Sequence, residues 1–332
     1  MVFRYVKFTG RELNPRRFGE REPTLEEVYR SYVQRELKID AREYIMVRIR
    51  GEIVSTNKVV DETLWLDKNT YDYAKNVLGP KKIYYEAHEG VTFTAAKGAW
   101  VVLGQPEPVQ LPGCVSCVRV QTQLSRELNI GPFIIERDYV FKGFKGEDIE
   151  VGYIKSYRYF IAAYNRNGSP LSEKQLASTL LWRNYIQKII NTIQCTSKHL
   201  KKMPWHLERM KKKAFAKYKV VWRDVAKEFI PAVVDDGAVP DYTVNYIVTS
   251  SLEEAHYLLA ILLAPQINAV VRELSPWIGH VQPRFIRYFK IPKYDPKNRV
   301  HRELTRIGKE ICSRRSIGQS QKREIEDLVE KL

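Results

Sequence analysis

Residues 217–229 read KYKVVWRDVAKEF. The core of this stretch, Tyr218–Trp222, is dense in β-branched and aromatic side chains, which fit a pleated, half-buried surface, so it predicts a strand. A strongly basic segment leads into it. Residues 198–219 hold nine Lys/Arg and one Glu, a local charge of +8. Downstream, a second strand is expected at Tyr242–Val248, then a helix capped by Ser251 with Glu254 at the capping-box spacing. Pro265 lacks an amide proton and crowds the preceding turn, so it should break or bend that helix.

Further upstream, strand-like runs occur at Tyr44–Ile49, Ile83–Glu86, Ala99–Leu103, Val115–Val120, Phe133–Val140 and Arg158–Tyr164, separated by Gly or Pro. A helix is expected from Ser172, with Gln175 as its box partner and Trp182, Ile186, Ile189 and Ile193 as a buried stripe. Another is expected at Thr24–Leu37. Towards the C-terminus, Val300, Leu304, Ile307 and Ile311 recur at helical spacing, and a last helix is expected near Ser320–Leu332. The predicted class is mixed α/β or α+β: a twisted, mostly antiparallel sheet region with capped helices and helical appendages at both ends. The predicted organisation is an N-terminal helix-and-strand region at 1–82, a main domain at 83–297 and C-terminal helices at 298–332.

The chain has 332 residues and a formal charge of +16, with a sequence pI near 9.5. Such a balance fits a polyanionic partner. A second basic run, Arg284–Arg315, holds eleven Lys/Arg against three Asp/Glu, again +8, and interleaves Phe285, Tyr288, Phe289 and Tyr294. Four cysteines in a chain of this length make no disulfide framework. Cys114 and Cys117 form a CxxC, read as two small, largely buried cysteines on a β-turn; zinc would need two more soft ligands. The N-terminus has no signal-peptide core, and no apolar run reaches membrane-spanning length. The expected compartment is a reducing cytoplasm.

The catalytic motifs that the sequence lacks narrow the function. It holds neither NPPY nor DPPY; Asn14-Pro15 is its one Asn-Pro and is followed by two arginines. No GxGxxG follows a strand, and no Walker loop, HExxH or GxSxG is present. Asp61, Glu62, Asp67 and Lys68 lie close in sequence, as do Asp235, Asp236 and Asp241, but acid-rich turns of this kind read as solvated loops. The six histidines form no metal pattern. No catalytic, cofactor or metal residue is assigned.

Several segments, in order, resemble the target-recognition region of adenine-N6 DNA methyltransferases of the TaqI-like and type IIG kind. They are EGVTFTAAKGAWVV (89–102), FKGEDIEVG (144–152), RYFIAAYNRNG (158–168), KYKVVWRDVAKEF (217–229), the helix at 251–263 and IPKYDP (291–296), within roughly residues 83–310. Ala95 and Ala96 depart from the Gly-Asn-like pair usual in the first. The resemblance implies an α/β domain that grips double-stranded DNA beside a methyltransferase that flips adenine. The chain begins near where that catalytic domain would end. The expectation is therefore a sequence-specific specificity subunit directing a separate methyltransferase or restriction partner, with S-adenosylmethionine on the partner. The alternative is a diverged metal-dependent nuclease or methyltransferase fragment. Candidate DNA-binding residues are Lys145, Lys201, Lys202, Lys211, Lys212, Lys213, Lys217, Lys219, Arg223, Arg284 and Arg287. Arg223 can instead pair with Asp224 or a neighbouring acid, and Gly146 and Asp148 can simply form a tight turn.

Overall fold

The computed structural model describes residues 2–4, 43–94, 98–192, 205–275 and 279–332. The helix expected at Thr24–Leu37 lies outside them. The fold is mixed α/β, built from several small sheets, with helices at the C-terminal end.

The first sheet centres on β2 (Glu43–Ile53), which pairs antiparallel with β1 (Val2–Arg4) and β3 (Lys58–Asp67) and parallel with β4 (Lys82–Ile83). The β3 strand corrects the sequence reading of Asp61, Glu62 and Asp67 as a loop. Val60, Leu64 and Leu66 are buried and alternate with exposed neighbours, the period of a half-buried strand. Asp61 accepts from Arg48 on the adjacent strand at 2.8 and 2.6 Å. Lys68 opens α1 (Lys68–Ala74), whose N-cap is Asp67.

After β5 (Ala87–Glu89), strands β6 (Glu107–Leu111), β7 (Cys114–Val120) and β8 (Phe133–Glu136) form an antiparallel meander, interrupted by α2 (Gln123–Glu127). Cys114 and Cys117 lie on β7, not on a turn, and are joined as a disulfide. β9 (Val140–Phe144) leads through the short hairpin β10 (Ile149–Glu150)–β11 (Tyr153–Ile154) to its antiparallel neighbour β12 (Arg158–Ile161). The Ser172 capping box forms as expected, but α3 (Glu173–Ala177) is short. The chain then passes through a π-helical turn, Trp182–Ile186, into α4 (Gln187–Ile189). Tyr185, absent from the predicted stripe, is the fully buried aromatic there, stacked on Phe133.

The central sheet runs β14–β13–β16–β5, all antiparallel, with β13 (Lys219–Arg223), β14 (Pro231–Val234) and β16 (Val244–Val248). Between the last two, β15 (Val239–Pro240) pairs parallel with β9. Both faces of β13 are covered. Val221 belongs to a core with Phe93, Trp100, Phe141, Phe160 and Tyr185, whereas Val220 and Trp222 belong to a second core with Leu66, Tyr257, Leu258, Ile261 and Leu304. That is why KVVWR reads as an unbroken apolar run behind its first lysine.

The second core is organised by α5 (Leu252–Leu262), capped by Ser251, whose hydroxyl accepts from Glu254 N at 3.1 Å. The Glu254 carboxylate bonds Ser250 N–H and hydroxyl at 2.7 and 2.6 Å, Tyr85 OH at 2.9 Å and Lys293 Nζ at 2.5 Å, which together hold it below the usual carboxylate range against its burial. Pro265 starts α6 (Pro265–Leu274) at its first position, and the two helices meet at 65°. No single helix among the described residues is long and apolar enough to cross a membrane. α7 (Arg299–Arg314) buries Leu304, Ile307 and Ile311 against α5, and α8 (Gln319–Val329) follows. The α5–α7 crossing needs Gly308: a Cβ there would sit 2.1 Å from the His256 carbonyl oxygen.

Candidate nucleic-acid interface

The site lies where β13 ends and β5 forms the free edge of the central sheet. Asn245 on β16 pairs with Trp222 on one side and with Glu89 on the other. Gly90 lets β5 approach the loop before β16; a Cβ at that position would lie 2.0 Å from the Asp241 carbonyl oxygen. Two basic segments far apart in sequence close on this edge.

The first is the 3-10 turn Lys212–Phe215. Ala214 is buried, and Phe215 packs edge-on against Phe141 with ring centroids 5.2 Å apart. Those apolar anchors leave Lys211, Lys212 and Lys213 all exposed. Thr92 N donates to the Glu208 carbonyl at 3.1 Å, Arg209 pairs with Glu89 at 3.0 Å, and Lys213 Nζ reaches His88 Nε2 at 3.2 Å.

The second is the 3-10 turn Pro283–Tyr288, pinned by buried Phe285, Ile286 and Tyr288. Tyr288 OH donates to Glu62 at 2.6 Å, and Gly79 N donates to the Tyr288 carbonyl at 3.0 Å. Upstream, Val281 N donates to the Asp224 carbonyl at 2.7 Å. The Val281 carbonyl accepts from Trp222 Nε1 and Asn245 Nδ2, each at 2.9 Å. His280 Nδ1 lies 2.6 Å from Asp224 Oδ2, while Asp224 Oδ1 accepts from Asn245 at 3.0 Å.

Between the β5 edge, the end of β13 and the second turn opens a cleft of about 620 Å³ lined by Glu89, Asp224, His280, Gln282, Pro283, Arg284 and Arg287. Arg284 is exposed and Arg287 half-buried. The two basic segments share one electrostatic environment: burial, with Lys213, Lys211 and Arg287 nearby, pushes His88 down to about 4, against an opposing pull from Glu86. Burial and the neighbouring cations thus both favour the neutral imidazole.

The remaining sequence candidates fall elsewhere. Lys201 and Lys202 lie outside the described residues. Lys217 is exposed, its ammonium 5.0 Å from the centroid of the Tyr218 ring. Lys219 is corrected: it is fully buried, its ammonium donates to the Ala216 carbonyl, and desolvation pushes it down to about 7. It follows Val221 onto the same covered face of β13, so it cannot meet a phosphate there. Arg223 reaches across to the Ile149 carbonyl at 2.8 and 2.5 Å and to Glu150 at 3.0 Å, so its acidic partner is Glu150 and not Asp224. Lys145 is half-buried beside Glu147 at 4.0 Å. Its turn is structural: Asp148, buried, accepts the Lys145 amide at 2.8 Å, the Ser156 hydroxyl and Arg158 at 2.8 Å.

Asp235, Asp236 and Asp241 also disperse. Asp236 pairs with Lys142 at 2.5 Å, and Asp241 accepts from Thr94 at 3.0 Å. Among the described residues no group of three or more His, Cys, Asp and Glu is arranged to hold a metal ion. The sequence reading missed His88, Glu89, Asp224, His280 and Gln282; nothing in local spacing marks them.

No protein-family model and no curated protein matches the chain. Among solved structures, it is similar to the type IIL restriction-modification enzyme MmeI in complex with DNA, at 10% identity over 89% of this chain and 39% of that one, with a TM-score of 0.46. It is also similar to the type IIG restriction endonuclease BpuSI, at 11% identity over 82% of this chain and 35% of that one, with a TM-score of 0.40. The chain thus spans 39% and 35% of the length of these two proteins.

Proposed function

We propose that this chain is a duplex-DNA recognition module of a restriction–modification system, directing a separate adenine-N6 methyltransferase or restriction partner to its site. The observation that carries this reading is the convergence of Lys211, Lys213, Arg284 and Arg287 around one sheet edge and one cleft. The family resemblance of residues 83–310 supplies the methyltransferase class. The sequence holds no NPPY or DPPY loop for a flipped adenine, and this reading assigns methyl transfer and S-adenosylmethionine to the partner. Lysines that track phosphates give affinity with a steep salt dependence, and base contacts give the specificity.

The test is binding of labelled duplexes by the full chain across a salt series. With six or more phosphates contacted, affinity falls on the order of a thousandfold between low and moderate salt. A flat response removes the electrostatic basis of the reading. Metal-dependent cleavage, or methylation by the homogeneous chain, would replace it with an enzyme.

A further inference from the structure

Two kinds of basic chemistry meet near His88, and only one of them lines the cleft. The Lys211–Lys213 turn offers exposed ammonium groups beside the opening. The Pro283–Tyr288 turn offers arginines from within the lining. A 3-10 helix has three residues per turn, so positions i and i+3 eclipse. Arg284 and Arg287 therefore project from one face, while Phe285 and Tyr288, also three apart, anchor the other in the core.

Other arginines near this end of the sheet are committed: Arg209 to Glu89, Arg223 to Glu150 and Arg158 to Asp148. Arg284 and Arg287 have no hydrogen-bond or ion-pair partner among the described residues. They are nevertheless mounted rigidly. The Val281 backbone is held by Asp224, Trp222 and Asn245, the His280–Asp224 pair fixes the residue before it, and Tyr288 is tied to Glu62 and Gly79. Unpaired donors on an over-determined backbone are preorganised for a ligand.

The carboxylates decide which ligand. Glu89 and Asp224 line the same cleft. A phosphodiester entering it would meet both. The major-groove edge of guanine instead presents the neutral O6 and N7 acceptors, which arginine matches and which these carboxylates, themselves held by Arg209, His280 and Asn245, repel less than they repel a phosphodiester. The 3-10 rise of about 2.0 Å per residue sets Arg284 and Arg287 about 6 Å apart along the turn axis. That is close to two base-pair steps of about 3.4 Å each.

We propose that the turn Pro283–Tyr288 is the base-reading element of this protein, with Arg284 and Arg287 contacting guanine edges two steps or fewer apart and the Lys211–Lys213 turn holding the flanking phosphates. The inference rests on the duplex-recognition reading above.

The experiment begins with selection from a randomised duplex pool by the full chain. The selected motif should contain guanine. Replacing that guanine with 7-deazaguanine, which lacks the N7 acceptor, should weaken binding on the order of ten- to a hundredfold. Arg284→Gln and Arg287→Gln, checked for unchanged thermal unfolding, should each relax the preference at one position and weaken the selected duplex more than random duplex. A selected motif that neither variant alters, with all duplexes weakened equally, overturns the inference and makes these arginines phosphate-binding groups, while duplex recognition stands. A selected motif insensitive to 7-deazaguanine overturns it likewise. Duplex binding with no selected motif, or no duplex binding at all, overturns the inference together with the recognition reading.

Discussion

Lys213 Nζ lies 3.2 Å from His88 Nε2, although 125 positions separate the two residues. An ammonium beside an imidazole is stable only when the imidazole is neutral and accepts, and the depressed His88 is in that state. The contact ties the basic turn to the sheet edge and brings it beside Arg287.

The triple replacement of Lys211, Lys212 and Lys213 by Gln should preserve the fold, because all three are exposed and surface changes cost little. It should weaken specific and random duplexes about equally and reduce the salt slope by about one for each phosphate no longer neutralised. Duplex titrations across a salt series check this; an unchanged affinity would make the run an ordinary solvated face.

His88 should link protons to stability and binding. Its folded value, about 4, is below the ordinary 6.5. Between those values the unfolded chain holds a proton that the folded chain lacks, so this group's contribution to stability falls as pH drops from about 6.5 towards 4. A bound phosphate would offset the repulsion from Lys211, Lys213 and Arg287. The complex should therefore take up a proton, and binding should tighten over the same descent. His88→Gln should lose this part of both pH dependences, measured by denaturation and by duplex titration from pH 7 to pH 5.

Lys219 should behave as a core residue. Its folded value, about 7, is below 10.5, so the unfolded chain binds the extra proton and wild-type stability rises between those values. Lys219→Met should be neutral or more stable by up to about 4 kcal/mol near pH 7, with the difference shrinking as pH rises. Duplex affinity should not change. A drop in affinity in a variant that folds normally would return Lys219 to the phosphate-binding set.

Gly308→Ala should disrupt the α5–α7 crossing. The added Cβ meets the His256 backbone carbonyl at 2.1 Å, and backbone cannot swing aside as a side chain can. Overpacking of this kind costs about 3 kcal/mol. Denaturant midpoints measure it, and an unchanged midpoint would mean that the helices part without penalty.

Removing the Asp148 carboxylate should cost about 3 kcal/mol, because it is buried and the Lys145 amide and Ser156 hydroxyl lose their acceptor, while Arg158 keeps only its exposed partner Glu147. Lys145→Gln should cost little. Thermal unfolding of the two variants side by side separates turn structure from any DNA contact.

The sequence by itself determined the local elements. Ser172 and Ser251 specify helix starts because a cap needs only its own backbone three residues on. Pro265 specifies a break through its missing proton, and the spacing of Leu304, Ile307 and Ile311 specifies the apolar face of the C-terminal helix. Val220–Trp222 reads as strand from β-branching alone. Tertiary structure decided everything that depends on which face is covered. Lys219 looks like its neighbour Lys217, yet one is buried and the other exposed, because Lys219 is the first residue of β13, which has a core on both sides, whereas Lys217 precedes the strand. The acids of β3 look like a loop until cross-strand pairing gives Asp61 its Arg48. The cleft is the furthest from legibility. Glu89, Asp224, His280 and Arg287 share no local pattern, and they meet only because three strands and one 3-10 turn are packed into a common end of a sheet.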